Sequence, residues 1–591
     1  MEVKRTFDLL TQLKEKYDFK KDILSIRTSG GWVKYSVDDY YRISHQLAYG
    51  LLAAGLREGD RVIIITQNRP EWNFLDMALS LAHMISIPVY PTLSKDDYHH
   101  ILNHSGARAV FVGNEKILKM VGPLIDELVP QPELFTVNEI EGYRNWKELL
   151  KLGEEKAEEW APVIEENKKS ISPEDVCTII YTSGTTGQPK GVMLKHIGLT
   201  FNAIGHANMQ IRDHRHRMLS FLPLCHIYER SMNYEYQYLG ISIYYAEGLG
   251  TIARDMQEAE ADGFCAVPRV MEMMFDKLRA KGKELKGISR WIYKWAFHIA
   301  QKFDYKRKDF LYKLRYAIAD KLVYSKWRAA LGGHELLIVS GGSSIQEKII
   351  RLYTAAKMYI FEGYGMTETS PVIAVNNPKE MLIVIGTVGK IMPGIEMKFG
   401  EDGEILTKGI CLMAGYYKDP EATSQVIDEE GWFHTGDIGE MNSEGYLRIT
   451  DRKKEIFKLS AGKYIAPQML ENRFKESSFV ENIMVIGENE KFASALIVPD
   501  MNRLKAWAKK HKVNYQTPAD LVANDEVKKR VMYEVNAINE TLAQHEQLKR
   551  IHLVPDEWST ATGELSQTMK LKRRVILKKY AKEIKEIYMH E

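Results

Sequence analysis

Cysteine is scarce in this chain, with four in 591 residues (Cys177, Cys225, Cys265, Cys411) and none in C-x-x-C spacing. That argues against a disulfide framework and a thiolate zinc site, and it fits a reducing compartment. Long apolar runs are missing as well. Nowhere do about 18 apolar residues follow one another, so no transmembrane helix is predicted. The N-terminus, MEVKRTFDLLTQLKEKYDFKKD, is charged throughout and lacks the apolar core of a secretory leader. Neither sign of charge dominates: 81 Lys and Arg stand against 79 Asp and Glu, a net charge of +2. Wholesale nucleic-acid binding is therefore not expected. No H-E-x-x-H occurs, and His99, His100, His104, His214 and His216 have no acidic partner at ligand spacing, so solvated helix and loop faces explain them better than a metal. The expectation is a cytoplasmic chain without a structural metal.

Apolar residues make up 45% and charged residues 27%, an ordinary globular composition. The length exceeds what one hydrophobic core usually serves, so two or more domains are expected. Early in the chain, helical patterns at Tyr41–Leu56 and Phe74–Ala82 alternate with strand patterns at 61–65, 87–89 and 109–112, which implies a wound α/β sheet. Residues 153–173 are acidic, then basic, and poor in strand formers; they read as a surface connection. Residues 277–328 hold many Lys and Arg interleaved with aromatics, and Ile288, Trp291, Ile292, Trp295 and Ile299 fall at helical spacing. Two readings stay open for this basic amphipathic region: peripheral membrane association, or helices packed on the core. After about residue 450 the elements shorten and Lys-rich helices appear, which marks a second, smaller domain.

The stretch YTSGTTGQPKG (181–191) carries three glycines, four Ser and Thr hydroxyls and a lysine after the strand pattern Val176–Ile180. Backbone N–H groups of a glycine turn can surround phosphate oxygens, with Ser and Thr adding donors and Lys adding charge. It is not a G-x-x-x-x-G-K-[ST] loop, and Pro189 makes a direct run into a helix N-terminus improbable on steric grounds. In GYGMTETSP (363–371) an aromatic beside two glycines can lie flat on a purine, while Thr367 offers a hydroxyl and Glu368 a hard oxygen of the kind Mg²⁺ takes. Three more strings follow in order: GWFHTGDIG (431–439), DRKKEIFKLSAGKYIAP (451–467) and GELSQTMKLKR (563–573).

These five motifs, in this order, resemble those of the adenylate-forming superfamily: acyl-CoA synthetases, peptide-synthetase adenylation domains and firefly-type luciferases. FLPLCHIYER (221–230), AVPRVMEMM (266–274) and the Thr568-Met569-Lys570 pattern are most similar to long-chain fatty acyl-CoA synthetases. The resemblance implies a large N-terminal AMP-binding domain of wound mixed sheets and helices (1–452) and a smaller, mobile α+β lid domain (453–591). It implies phosphate binding by Thr182, Ser183, Gly184, Thr185, Thr186, Gly187 and Lys190, and purine contact by Tyr364 and Gly365. Gly341 and Gly342 would lie beside adenine and the acyl chain. Thr367 would contact phosphate, Glu368 Mg²⁺, Asp437 the ribose hydroxyls and Arg452 the nucleotide. Lys454 would be the hinge, Lys458 and Gly462 the face that admits coenzyme A, His226 a guide or gate for the acid, and Lys570 the catalytic cation. Many members carry Ser-Gly-Lys where this chain has Thr568-Met569-Lys570, and Lys572 stands two residues on, so a register two residues later is the alternative.

The implied activity uses ATP, Mg²⁺ and coenzyme A to convert a long-chain fatty acid into its thioester by way of an acyl-adenylate. The rival readings are an acyl-AMP ligase that loads a carrier protein and a non-catalytic acyl or nucleotide sensor. Monomer and homodimer both stay open.

Overall fold

The computed structural model describes residues 2–183, 188–304, 309–381, 383–566 and 569–589. Contacts divide the chain into two compact units. One comprises Met1–Gly342, Lys348–Met397 and Thr407–Phe433, the other Ser343–Glu347, Lys398–Leu406 and His434–Glu591. The division falls ahead of the 452/453 boundary, because the strands Phe433–Met441 and Leu447–Arg452 form one antiparallel hairpin, with Asp437 opposite Arg452.

The larger unit contains two sheets. The seven-stranded sheet runs, edge to edge, Gly415–Tyr416, Pro189–Lys195, Val176–Ser183, Ile85–Pro88, Arg61–Ile65, Ala109–Val112 and Glu133–Thr136. From Val176–Ser183 onward its neighbours are parallel, and the first two strands join antiparallel. The nine-stranded sheet has a parallel centre that includes Gly263–Ala266, Leu336–Ser340 and Met358–Gly365. Strands such as Ala109–Val112 and Leu336–Ser340 are buried along their whole length, which is why they read as unbroken apolar runs rather than alternating ones. The α/β class with wound mixed sheets is the expected one.

Helix boundaries differ from the sequence pattern for local reasons. The helix expected from Tyr41 begins at Val37, where Ser36 accepts from the Asp39 N–H and Asp39 returns the bond in a capping box. The helix expected from Phe74 begins at Pro70, in the first-turn position proline tolerates. Residues 153–173 are not a surface connection: the helices Trp146–Glu155 and Ala157–Ser170 occupy most of that stretch. Gly153 is there for close packing. A Cβ on it would lie 1.7 Å from the Gln46 carbonyl, and one on Gly50 would lie 1.9 Å from the Leu149 carbonyl, so the two helix backbones meet directly.

The smaller unit is α+β. Its three-stranded sheet orders Val480–Ile486, Ser494–Pro499 and Arg550–Leu553. The strand alternates strictly: Ile483 and Val485 enter the core formed with Leu470, Phe474 and Leu504, while Met484 and Ile486 enter a second core with Trp558 and Ile576. Helices thus cover both faces of a small sheet.

Candidate active site

Phosphate-loop signature residues stand on the stem of a hairpin. The strands Val176–Ser183 and Pro189–Lys195 pair antiparallel, with Thr182 opposite Lys190 and Ser183 opposite Pro189. The chain thus enters a strand after Pro189, not a helix, as the proline suggested. Gly184, Thr185, Thr186 and Gly187 lie outside the described residues. Two histidines brace this stem. His100 Nε2 is 3.0 Å from the Pro189 carbonyl oxygen and His104 Nδ1 is 2.8 Å from the Tyr181 hydroxyl, with the two imidazoles stacked. Both are half-buried, so the solvated face expected for them is not what the structure has. His214 likewise stacks on Tyr17, and His216 pairs with Asp213.

Lys190 and Glu368 are joined through a residue the motifs did not include. The short strand Gly415–Tyr416 pairs with Pro189–Lys195, and this sets the Tyr416 ring 5.1 Å from the Lys190 ammonium. The Tyr416 hydroxyl donates to Glu368 Oε1 at 2.9 Å. Burial first, then the Glu368 charge, raise the Tyr416 phenol well above its ordinary pKa, so it stays a donor. A cation over an aromatic face is attracted by the ring quadrupole, which adds to the positioning of Lys190. The only sequence signal for Tyr416 was an aromatic pair flanked by Gly415 and Lys418, too common to single out.

Glu368 sits in the short 3-10 turn Thr367–Thr369, and Thr367 is buried. Asn202 braces this turn: its amide donates to the Thr369 carbonyl at 3.3 Å and its carbonyl accepts from the Val372 N–H at 2.9 Å. Gly365 has a packing reason of its own, since a Cβ there would lie 1.9 Å from the Pro371 carbonyl. Tyr364 packs against the cluster of Val372, Ile373 and Val375.

Tyr364 and Gly365 end the strand Met358–Gly365. Gly341 and Gly342 follow its parallel neighbour, Leu336–Ser340, with Gly342 at φ +85°. Both pairs therefore lie at the carboxyl ends of adjacent parallel strands, where open α/β sheets bind ligands. His226 caps the helix Ile227–Leu239, its Nδ1 accepting from the Tyr228 N–H at 3.2 Å. The Tyr228 hydroxyl donates to the Val339 carbonyl at 2.9 Å, and its ring would meet a Cβ on Gly341 at 3.3 Å. Tyr228 thus links the histidine to the glycine turn. This helix is buried from Ile227 to Gln237, including an Arg230–Asp76 ion pair at 2.5 Å and Glu229, whose carboxyl burial pushes up to about 8.

In the smaller unit Arg452 Nε contacts Asp437 Oδ1 at 3.1 Å, and the carboxylate is nearly fully enclosed. Lys454 is exposed on the turn after Arg452. Lys458 is exposed on the strand Phe457–Lys458, its ammonium 5.4 Å from the Tyr464 ring centroid. Gly462, at φ +82°, turns the chain back, and the space a Cβ would fill there is 3.7 Å from Lys458 Cε. Lys570 is half-buried; its N–H donates to Ser566 Oγ at 3.0 Å and its carbonyl accepts from the Ser566 N–H at 2.8 Å. Met569, just before it, has φ +62°, the left-handed region that favours glycine. Lys572 is exposed at the start of the helix Arg573–Lys579.

Two stretches of this chain match family descriptions. Residues 15–417 match the AMP-binding enzyme family, and residues 454–591 match the AMP-binding enzyme C-terminal domain. The chain belongs to the AMP-binding enzyme family. Among its relatives, the long-chain-fatty-acid–CoA ligase FadD15 of Mycobacterium bovis is 30% identical over 573 residues, covering 95% of this chain and 93% of that protein. Long chain acyl-CoA synthetase 1 of Arabidopsis thaliana is 32% identical over 601 residues, covering 94% and 87%. The fold is shared with solved adenylate-forming enzymes. The adenylation domain of a carboxylate reductase from Mycobacterium chelonae superposes with a TM-score of 0.74 at 20% identity, over 99% of this chain and 91% of that one. ATP-bound MatB of Rhodopseudomonas palustris gives 0.69 at 18% identity, over 97% and 99%.

Proposed function

We propose that this family member is an ATP-dependent ligase that activates a long-chain fatty acid as its acyl-adenylate and passes the acyl group to coenzyme A. The observation that carries the reading is the line Lys190–Tyr416–Glu368 beside the hairpin of the phosphate-loop signature. It sets a cation and a carboxylate on either side of one tyrosine, as a nucleoside triphosphate with a divalent ion requires. The names of the relatives support the acid and the thiol.

A carboxylate is a poor acyl donor because oxide is not an acceptable leaving group. Its attack on the α-phosphorus of ATP expels pyrophosphate and forms a mixed anhydride, from which the coenzyme A thiolate displaces AMP. The chain's own task is positioning and charge neutralisation. Lys190 and Thr182, with Ser183 and residues 184–187 as the family motif implies, hold phosphate, and Thr367 offers it a hydroxyl. Tyr364 and Gly365 face the purine, and Asp437, oriented by Arg452, takes the ribose hydroxyls. His226, Gly341 and Gly342 border the acid. Lys570 supplies the cation for adenylation; the left-handed Met569 occupies the place of the family's glycine and supports this register over Lys572. Residues 453–591 act as the mobile domain with Lys454 as pivot, and Lys458 and Gly462 serve the thioester step.

Mg²⁺ takes one or two carboxylates and completes its shell from phosphate oxygens and water. A single carboxylate, Glu368, oriented by the Tyr416 hydroxyl, fits that demand. Among the described residues there is no group of three His, Cys, Asp or Glu that could hold a metal instead. When bound, the ion would offset phosphate charge. We place the enzyme in the cytoplasm.

Pyrophosphate exchange over a panel of fatty acids, followed by product analysis with and without coenzyme A, tests this reading. Exchange that peaks with long-chain acids, and a thioester formed only with coenzyme A, is the expected result. Exchange with no thioester unless a carrier protein is added would replace coenzyme A by the carrier. No exchange with any acid would leave the sensor reading.

A further inference from the structure

The helical region 277–328 was expected to show one apolar face, made by Ile288, Trp291, Ile292, Trp295 and Ile299. The structure divides it. Ile299 is buried with Ala296 and Ala300 in the helix Gly287–Gln301, whereas Ile288 and Trp291 face solvent. The continuous exposed stripe lies on the next segment. In the helix Phe310–Ala319 and the π-turn Asp320–Tyr324 that extends it, Leu311, Leu314, Ile318 and Leu322 are 63%, 51%, 45% and 42% exposed. Their spacing of three, four and four residues puts them on one face, running roughly 16 Å along the axis. The opposite face is fully used: Tyr312, Val323, Tyr324 and Trp327 are buried, and the Tyr312 and Tyr324 hydroxyls donate to the Ile299 and Ala296 carbonyls. Single exposed apolar side chains are ordinary, but a stripe in helical register is not.

Exposed cations accompany the stripe on its own segment. Lys313, Arg315 and Lys321 of the same segment are exposed, and among the described residues none of them forms an ion pair. The nearby acids are engaged: Asp309 caps the helix through the Tyr312 N–H at 2.9 Å, and Asp320 pairs with Arg328 at 2.6 Å. An apolar stripe flanked by unpaired cations matches the interface of a bilayer that carries anionic headgroups, where the leucines enter the acyl boundary and the cations meet phosphate. A second copy of this chain would bring the same cations face to face.

We propose that the Leu311–Leu322 face docks this protein on an anionic membrane surface. None of the residues of this face is among those assigned to catalysis. Vesicle binding without substrates reads it, so it stands or falls separately from the ligase reaction. The test is cosedimentation of the full chain with phosphatidylcholine vesicles, with or without phosphatidylglycerol, at low and high salt. The variants are Leu314→Gln/Ile318→Gln and Lys313→Gln/Arg315→Gln. Wild type should bind the anionic vesicles, with binding weakened by about tenfold on neutral vesicles or at high salt. Each double variant should lose about tenfold in partition while keeping the wild-type thermal melt, because the substituted side chains are exposed. Wild-type protein left in the supernatant at low salt would overturn the proposal, as would unchanged binding by both variants. Concentration-dependent self-association that Leu314→Gln/Ile318→Gln abolishes, without vesicle binding, would assign the face to a second copy instead.

Discussion

Candidate residues of the larger unit are held by one another, whereas most of those in the smaller unit are carried on turns. In the larger unit Lys190 lies over Tyr416, Tyr416 donates to Glu368, and Asn202 ties down the turn that bears Glu368. In the smaller unit Asp437 and Arg452 hold each other, but Lys454, Lys458 and Gly462 are exposed on turns or a two-residue strand, and Lys570 follows a left-handed residue. The difference teaches a division of labour. The groups proposed to hold phosphate and its metal are fixed in advance by packing, and preorganised charge costs nothing to reorganise during a reaction. The groups proposed to act in only one half-reaction sit on turns or a two-residue strand.

The strongest test of this division is Lys570→Ala. Adenylation should fall by about 10²–10³, the range for removing one group aimed at developing charge. Thioester formation from supplied acyl-adenylate should persist, and the melt should stay unchanged. Equal loss of both half-reactions would merge the two roles. Selective loss in Lys572→Ala instead would move the register by two residues.

Next in size is Glu368→Gln, expected to lower Mg²⁺-dependent adenylation by about 10²-fold with the thermal melt nearly intact. Tyr416→Phe removes only the hydroxyl that orients Glu368 and should cost about tenfold, with a raised Mg²⁺ requirement. Wild-type rates for both across a Mg²⁺ titration would show that the held cluster is structural.

Gly462→Leu should leave adenylation near normal and slow the thioester step by about tenfold. At φ +82° a side chain also costs roughly 1–2 kcal/mol of backbone strain. Gly462→Ala shares that cost without the bulk, so a defect of equal size in both variants would mean strain, not a blocked path for coenzyme A.

The smallest effect concerns the buried helix behind His226. Burial pushes the Glu229 carboxyl up to about 8 from 4.5. The unfolded chain therefore ionises first, and this group costs stability progressively as pH rises from 4.5 towards 8. Glu229→Gln removes that cost. Its melting temperature relative to wild type should rise between about pH 5 and pH 8. A pH-independent difference would contradict the assigned burial effect.

Much of this arrangement was legible in the residues. Strand patterns at 61–65 and 109–112 coincide with strands because unbroken β-branched runs have few alternatives. The family motifs placed Lys190 and Glu368 in one site, but not the Tyr416 that joins them, because β-pairing between residues far apart in sequence brings it there. Residues 153–173 misled because a charged stretch poor in strand formers suits a solvated helix as well as a connection, and Gly153 serves tight helix packing there. The exposed stripe on Phe310–Ala319 was hidden by a better pattern on the preceding helix, whose apolar side chains partly serve the core. Glycine's absence before Lys570 stands as a departure from the motif, and Met569 takes a left-handed backbone there without being glycine.

The most direct test of the central claim is the identity of the nucleotide product. The purified chain is given a long-chain fatty acid, ATP and Mg²⁺, and the mixture is resolved by mass spectrometry before and after coenzyme A is added. Acyl-adenylate and pyrophosphate in the first sample, with acyl-CoA and AMP in the second, is the result expected. ADP and phosphate as products, or acyl-CoA without any acyl-adenylate in a rapid quench, would contradict it.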